Sequence, residues 1–287
     1  MSVDPFIAHR SLLFTVAYEM LGSAADAEDV VQETWLRWAG VDHAAIEFPR
    51  AYLVQMVTRQ ALNRLRTLSR RREDYVGEWL PEPLLTGPDV AEDVELAESV
   101  SLAMLTVLET LGPTERAVFV LREVFDTPYD EIAATVGKTP ATVRQIARRA
   151  REHVAARRPR MRVDPAEQQA VVTQFLHALS TGNLQGLMHV LAPDVVAIAD
   201  GGGVMPAARR PITGARKLAA LFLVLAQTRE FAATTVWLNG MPGVRLEFDA
   251  GVTAISLVVE NGQITRLYAV SNPHKLGHLE QVVDLER

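Results

Sequence analysis

The 287-residue chain has room for two or three domains of roughly 100–150 residues, and its hydrophobic (48%) and charged (22%) fractions exclude disorder throughout. It contains no cysteine, which excludes disulfides, thiolate metal ligands and cysteine nucleophiles, and we expect neither metal nor cofactor. The formal net charge of −6 argues against a uniformly basic nucleic-acid-binding protein.

Residues 5–75 are predicted to be helical. Apolar residues recur at helical spacing, first at Leu13, Ala17, Met20 and Leu21 and again at Val30, Val31 and Leu36, and the last three are expected to hold the core. Gly22 and Ser23 separate the first two helices, and Ser23 can cap the second one. A third helix is expected from Ala51 to about Arg72, with Pro49 at the point where a helix can begin.

Residues 76–93 hold three prolines and two glycines and therefore predict a linker. Helical periodicity returns from Val94 to Leu111, and Gly112-Pro113 interrupts it. Three short helices are expected over 114–155, followed by a basic linker from Arg157 to Pro165.

The pattern changes after Asp164 from helices to alternating strands. Two helices are expected at about 166–181 and 184–191, then a strand over Val195 to Ala199, and a helix over about Ala215 to Gln227. Four strands should close the chain, at 231–238, 244–248, 253–259 and 264–270, with hairpin turns at Asn239-Gly240 and Asn261-Gly262. Helices followed by an antiparallel meander predict an α+β domain.

The charges are segregated along the chain. Residues 59–72 contain six arginines and no acid, residues 73–98 contain nine acids and no base, and residues 138–162 contain nine bases against the single acid Glu152. Two anion-binding faces separated by an acidic connector would explain this arrangement, and solvated helix faces are the alternative.

Residues 129–144 have the spacing of a helix-turn-helix. Gly137 permits the left-handed turn, Thr139 can cap the next helix and Pro140 can occupy its first position. That helix would bury Val143, Ala147, Ala150 and Val154, and would present its polar side chains outward for base edges and phosphates. The candidates for DNA contact on it are Thr142, Arg144, Gln145, Arg148 and Arg149. A helical hairpin of another all-α domain is the alternative, and the motif alone does not separate a repressor, an activator and a sigma factor.

The segment Ala25 to Leu36, ADAEDVVQETWL, resembles the most characteristic segment of the sigma-70 family in its extracytoplasmic-function branch. The resemblance implies that this helix docks on the β′ clamp helices of core RNA polymerase, and its polar face suits a basic partner. The residues expected to make this contact are Asp26, Glu28, Asp29, Gln32 and Glu33. The resemblance also implies the β flap and promoter DNA as partners.

The helix from Pro49 to Glu73 is similar to the helix with which this family reads the −10 promoter element. Residues 39–50 would then form the loop that captures a flipped base. Asn63 and Arg66 share one helical face and are candidates for DNA contact, while Arg59 and Arg70 to Arg72 would hold the backbone. Trp35 and Trp38 are expected to pack in the core, and the helix-turn-helix would read the −35 element.

Three further motifs resemble signatures of the SigJ-type subgroup, whose members carry a SnoaL-like domain after the sigma regions. They are Trp79-Leu80-Pro81-Glu82-Pro83, Asp200-Gly201-Gly202-Gly203 and Asn272-Pro273-His274-Lys275-Leu276. Val204 and His274 stand where the subgroup usually has lysine and aspartate. We expect the three segments to meet and to regulate the spacing of the DNA-binding domains, with Trp79, Pro81, Asp200, Gly201, Gly202, Asn272, Pro273 and Lys275 as the residues involved.

The fold expected from these patterns is multidomain: two all-α domains followed by an α+β, cone-shaped SnoaL-like domain. The predicted boundaries are 1–75 for sigma region 2, 76–93 for the linker, 94–158 for sigma region 4 and 164–287 for the SnoaL-like domain.

The expected function is that of an alternative sigma factor modulated by its C-terminal domain. We expect it to be cytoplasmic, because the sequence shows neither a signal peptide nor an apolar run of roughly 20 residues. A small ligand in the C-terminal domain is left open. A ligand-sensing helix-turn-helix regulator and an enzyme are the alternatives, and an enzyme would draw its acid or base from Asp200, His189, Tyr268 or Asp249.

Overall fold

The computed structural model describes residues 4–72, 75–158 and 165–287. Contacts between Cα atoms divide these residues into two compact units. The first unit combines residues 4–72 with 104–158 and 284–287, and the second combines 75–103 with 165–283. Within the described residues no helix is both long enough and apolar enough to cross a bilayer.

The first unit is helical, and its helices are α1 Pro5–Ala8, α2 Arg10–Leu21, α3 Ala24–Trp38, α4 Pro49–Arg72, α6 Leu102–Leu108, α7 Pro113–Phe119, α8 Tyr129–Val136 and α9 Pro140–Ala155. Helix α6 spans the division between the units, and α5 Val94–Val100 belongs to the second unit. Ser23 caps α3, because its Oγ accepts a hydrogen bond of 3.2 Å from the Asp26 amide, and Gly22 ends α2 with a φ of 65°. Both signals were predicted and both are confirmed.

Helix α2 is the centre of the first bundle, with every residue from Leu12 to Leu21 buried. The predicted core residues Val30 and Val31 of α3 pack beside it, but Leu36 is 67% exposed and the prediction for it was wrong. The buried positions of α3 follow the face of Val30, Thr34 and Trp38, and Leu36 lies two residues past Thr34, on the opposite side of the helix.

The two tryptophans of α3 differ in burial. Trp38 is fully buried, and its indole Nε1 donates to Asp4 Oδ1 at 3.1 Å. Trp35 is 37% exposed and lies beside Phe6, with 4.9 Å between ring centroids. The core assignment is therefore confirmed for Trp38 and wrong for Trp35.

The helix predicted from Val94 to Leu111 is interrupted at Ser101, which is extended (φ −56°, ψ 146°). The Ser99 hydroxyl donates to the Leu96 carbonyl and the Ser101 hydroxyl donates to the Glu98 carbonyl. Side-chain bonds of this kind to the backbone compete with continuation of the helix. The carbonyl of Val100 accepts from Asn239 Nδ2 at 2.9 Å. Contacts thus place residues 94–103 with the second unit, although the sequence-based boundary was drawn before Val94.

The second unit holds one six-stranded sheet with the order β2-β1-β6-β5-β4-β3, whose strands are β1 Leu191–Asp200, β2 Ile212–Thr213, β3 Ala232–Leu238, β4 Met241–Phe248, β5 Gly251–Glu260 and β6 Gln263–Val270. The expected meander is confirmed, since β3 to β6 pair antiparallel in chain order. Asn239 and Asn261 adopt positive φ (54° and 53°) before glycines, as the predicted turns require. The parallel pairing of β1 with β6 and the short β2 were not predicted.

The two faces of the sheet have different partners. Helices α10 Pro165–Ser180, α11 Leu184–Val190 and α12 Ala215–Thr228 pack on one face around Phe175. They leave an apolar cavity of about 580 Å³ between α12 and the sheet. On the other face, Tyr268 and Val270 pack against Leu80, Leu102 and Ala103. The linker segment is therefore part of the core of the second unit.

We predict that Phe175→Ala lowers the free energy of unfolding of the second unit by about 3–5 kcal/mol, because the ring is fully buried and lies edge-on to Phe222 at 5.2 Å. Leu184→Ala, at a position 41% exposed, is the control and should change it by less than about 1 kcal/mol. Hydrogen exchange of the β5 and β6 amides at increasing urea measures this unit alone. Equal effects of the two variants would contradict the assignment of Phe175 to the core.

Candidate functional site

The three motifs singled out in the sequence meet at one buried carboxylate, that of Asp200 at the end of β1. Asp200 Oδ2 accepts from Lys275 Nζ at 2.7 Å and from the Leu80 amide at 2.9 Å. Asp200 Oδ1 accepts from the Tyr75 hydroxyl and from the Gly202 amide. We refer to Tyr75, Trp79, Asp200, Asn272 and Lys275 as the Asp200 cluster.

The side chain of Lys275 is only 4% exposed, and its ammonium group has several partners. Its Nζ also donates to the Leu80 carbonyl at 2.6 Å, and it lies 3.1 Å from the centroid of the Trp79 ring and 4.8 Å from that of Tyr75. A buried ammonium needs this combination of a counter-ion, a carbonyl acceptor and aromatic faces, because removing it from water is costly. The lysine joins the linker motif to the C-terminal motif.

Asn272 connects the remaining parts of the cluster. Its Nδ2 donates to the Tyr75 hydroxyl oxygen at 2.9 Å, and its Oδ1 accepts from the His274 amide at 3.1 Å, which caps the short 3-10 turn Pro273–Lys275. Burial, together with the hydrogen bond to Asp200, raises the pKa of Tyr75 well above its usual value. The protonated phenol is the form that donates to the carboxylate, and the raised pKa reflects its stabilisation.

Two glycines of the DGGG motif are required by close packing. A Cβ on Gly202, whose φ is +62°, would collide with the Asn272 side chain, and one on Gly201 would collide with the Met205 carbonyl. The two departures from the subgroup lie outside these contacts: Val204 is 58% exposed, and His274 is exposed and contributes its backbone amide.

Sequence reasoning missed two members of this arrangement. Tyr75 was assigned to the end of the first helical domain, and no motif marked it. Asn239 was predicted only as a turn residue, but it is fully buried, and its Oδ1 accepts from the Leu84 amide at 3.0 Å. Next to it, the Gly240 amide donates to Thr86 Oγ1 at 2.9 Å. Pro81 is buried, and it lies in the chain between Leu80, whose amide donates to Asp200, and Leu84, whose amide donates to Asn239.

The predicted contact residues of the acidic helix α3 differ in exposure. Glu28, Asp29, Gln32 and Glu33 are exposed. Asp26 is half-buried and accepts from Arg64 Nε at 2.7 Å, while Arg64 Nη2 bonds to Asp29 Oδ2 at 2.7 Å. The hydrogen bond to Asp26 raises the pKa of Arg64. Arg64 therefore holds α3 against α4, and an acidic, outward-facing surface remains.

On α4, Asn63 and Arg66 are exposed, as the assignment to DNA contact requires. Arg59 is exposed as well, and its Nη2 donates to the Ala134 carbonyl of α8 at 3.1 Å. The backbones of Arg70, Arg71 and Arg72 belong to α4, but their side chains lie outside the described residues. The loop at 45–50 and the first turns of α4 face residues 121–135 across a groove of about 700 Å³.

The helix-turn-helix has the predicted geometry. Gly137 ends α8 with a φ of 67°, and Thr139 Oγ1 accepts from the Thr142 amide at 3.2 Å to begin α9. The predicted core residues of α9 are all buried, and the five DNA-contact candidates of α9, Thr142, Arg144, Gln145, Arg148 and Arg149, are all exposed. Arg144 lies over the Tyr129 ring at 5.5 Å, and Arg148 forms a loose pair with Glu152 at 3.7 Å.

A buried arginine fastens α7 to α2 inside the first unit. Arg116 is 1% exposed, donates from Nε to the Glu19 carbonyl at 2.9 Å and pairs through Nη1 with Glu109 at 2.6 Å. Burial lowers the pKa of Arg116, and the charge of Glu19 opposes that change. Near this contact the Glu286 amide donates to Thr15 Oγ1 at 3.1 Å, so the last residues of the chain also reach α2.

We predict that Asp200→Asn lowers the free energy of opening of the linker by about 3–5 kcal/mol, because it leaves the Lys275 ammonium buried without its carboxylate. Adding Lys275→Met should recover part of this loss, since the unpaired charge is then absent. Hydrogen exchange of the Leu84 amide measures the loosening at a donor that bonds to Asn239 and not to Asp200. The control is Asp249→Asn at an exposed position, and identical exchange in both single variants would contradict the role given to the ion pair.

Comparisons with known proteins agree with this geometry. Family models match Sigma-70 region 2 at residues 6–71 and Sigma-70 region 4 at residues 101–154. The chain is 37% identical to the ECF RNA polymerase sigma factor SigJ of Mycobacterium tuberculosis H37Rv, over 96% of this chain and 93% of the relative. It is 34% identical to the probable ECF sigma factor SigI of Mycobacterium tuberculosis CDC 1551, over 95% and 93%.

The crystal structure of the Mycobacterium tuberculosis SigJ matches with a TM-score of 0.78 at 35% identity, covering 95% of this chain and 97% of that one. Both helical sigma regions and the α+β domain lie within this match, which confirms the predicted fold class. The chain belongs to the extracytoplasmic-function RNA polymerase sigma factors, the proteins that direct the initiation of transcription.

Proposed function

We propose that this sigma factor docks on core RNA polymerase through the exposed acidic face of α3, centred on Glu28, Gln32 and Glu33. The single observation that carries the proposal is that this face stays outward while Arg64 ties the neighbouring Asp26 and Asp29 to α4. A pre-ordered acidic surface suits a basic partner helix, and the resemblance implies the β′ clamp helices and the β flap as partners.

The −10 element would be read by α4 and the loop at 39–50, with Asn63 and Arg66 at the DNA. Two features support this assignment: both side chains are exposed on one helical face, and the helix carries a block of arginines. In this structure Arg59 donates a hydrogen bond to the Ala134 carbonyl of α8, and residues 121–135 lie across the groove from the loop. Promoter DNA and α8 would therefore compete for this surface, and the two sigma regions would separate when DNA binds.

The −35 element would be read by α9. The capped start of the helix places Thr142 and Gln145 in its first turns, where major-groove contacts are made, and places Arg148 and Arg149 in the following turns. Because a sigma factor shares the affinity of the polymerase for DNA, the free protein would bind promoter DNA weakly at physiological salt.

The C-terminal domain would act as a regulator through the Asp200 cluster. The linker between the two sigma regions is bound to this domain at Asp200 and at Asn239, and promoter elements lie at a fixed separation. A domain that fixes the linker would therefore control how the sigma regions are spaced. Catalysis is not part of the proposal, since none of Asp200, His189, Tyr268 and Asp249 is among the described residues that line the cavity.

For the docking surface, we predict that Glu28→Lys/Glu33→Lys weakens binding to purified core polymerase by about tenfold or more, because two attractive charges become repulsive. Fluorescence anisotropy of the labelled full-length chain measures the affinity. Glu230→Lys, an exposed acid of the second unit, is the control for the change in charge. Equal binding by the docking variant and the control would exclude this face of α3.

For the regulatory role, we predict that Trp79→Ala, Asp200→Ala and truncation before Asn272 each change run-off transcription from a cognate promoter, because each removes part of the Asp200 cluster. A cognate promoter is found first by reconstitution of the wild-type chain with core polymerase on a promoter library. Asp249→Ala is the control. Wild-type transcription by all three variants would end the proposal that the cluster couples the domains.

A ligand-sensing helix-turn-helix regulator remains the second candidate, favoured by the cavity in the second unit. Such a regulator has no use for the acidic face of α3. Tight, sequence-specific binding of promoter DNA by the free chain, without any binding to core polymerase, would support it over the docking proposal.

A further inference from the structure

The cavity of the second unit is built by small and apolar side chains on one face of the sheet. Ala197 and Ala199 of β1 face it beside Leu267 and Ala269 of β6, which are their partners across the parallel pair. Three alanines in adjacent positions leave space that larger side chains would fill. Helix α12 forms the opposite wall, and the space between is about 580 Å³, within the usual range for small-molecule sites.

The lining is apolar except at the Thr253–Ser271 pair on the sheet and at the end of α12, where Thr228 and Arg229 lie. Thr253 Oγ1 and Ser271 Oγ lie 2.9 Å apart on the sheet and share one hydrogen bond. Arg229, the single charged residue among the described lining residues, is exposed near the end of α12. Leu221 and Val224, both lining residues, are 48% and 55% exposed, so apolar side chains also surround the opening.

We infer that this cavity binds a neutral, largely apolar small molecule that carries a hydroxyl or carbonyl oxygen. The apolar walls would bury its carbon skeleton, since transfer of apolar surface from water is the main favourable contribution in such a site. The Thr253 and Ser271 hydroxyls would orient its oxygen, because each can both donate and accept. A charged molecule would lose its hydration against walls that offer no counter-ion in the interior.

The cavity and the Asp200 cluster share the same stretches of chain. Ala199 lines the cavity and Asp200 follows it; Ser271 lines the cavity and Asn272 follows it. The loop after the glycines returns to the cavity at Met205, whose carbonyl contacts the position of Gly201. A molecule in the cavity would therefore alter the backbone that carries both ends of the cluster. The effect on transcription rests on the regulatory role proposed above, whereas binding itself does not.

The test uses the full-length chain and 6-propionyl-2-(dimethylamino)naphthalene, a neutral solvatochromic dye with one carbonyl. We expect saturable, blue-shifted binding with one dye per chain. Leu221→Glu at the rim should weaken binding by about tenfold, whereas Leu184→Glu, at a comparably exposed leucine outside the cavity, should leave it unchanged. Thr253→Val should weaken it three- to tenfold, as expected for the loss of about one hydrogen bond.

Equal binding by wild type, Leu221→Glu and Leu184→Glu would overturn the assignment of the binding site to the cavity, because the dye would then lie elsewhere. Non-saturable binding would overturn the assignment as well. Unchanged binding by Thr253→Val would overturn the role of the hydroxyl pair. Hydrogen exchange at the Leu80 and Gly202 amides, both donors to Asp200, measures the coupling. A change in the exchange rates of these amides when dye saturates the chain supports the coupling, and identical rates with and without dye overturn the coupling. Neither measurement uses polymerase, so each is independent of the proposed transcriptional role.

Discussion

The second unit depends on one buried ion pair, between Asp200 and Lys275. The two groups lie 2.7 Å apart with side chains that are 0% and 4% exposed, so neither could be buried alone without a large cost. The remaining acceptor sites of the carboxylate are filled by donors from separate parts of the chain, namely Tyr75, Leu80 and Gly202. Because an incomplete set would leave a buried charge unsatisfied, the linker is fixed to the domain in one position.

This constraint gives the linker a role that its composition did not suggest. A proline-rich segment is usually a spacer, but here Leu80 and Leu84 are fully buried, and Thr86 donates its amide to the Trp237 carbonyl. The sheet is shared between the linker on one face and a cavity on the other. Strand β6 takes part in both, since Tyr268 faces the linker and Ala269 faces the cavity, and successive side chains of a strand point to opposite faces.

The first unit shows a second use of buried charge. Arg116 is fastened to the Glu19 carbonyl and to Glu109 inside the helical core, and Arg64 bridges α3 to α4 at the surface. Of the arginines that the sequence suggested as anion-binding groups, Arg64 thus has a structural role, and Arg59 is engaged by the Ala134 carbonyl. A block of like charges in a sequence does not indicate which of its members are available to a ligand.

Local signals in the sequence determined the helices, their caps and the turns, because those depend on residues three or four positions apart: Ser23, Gly137 and Asn239-Gly240 all behave as predicted. They also located the three motifs of the cluster. The tertiary structure alone decided that these motifs share one carboxylate, that Tyr75 and Asn239 belong with them, and that β1 lies parallel to β6. Those features depend on contacts between residues up to 197 positions apart, which no local pattern records.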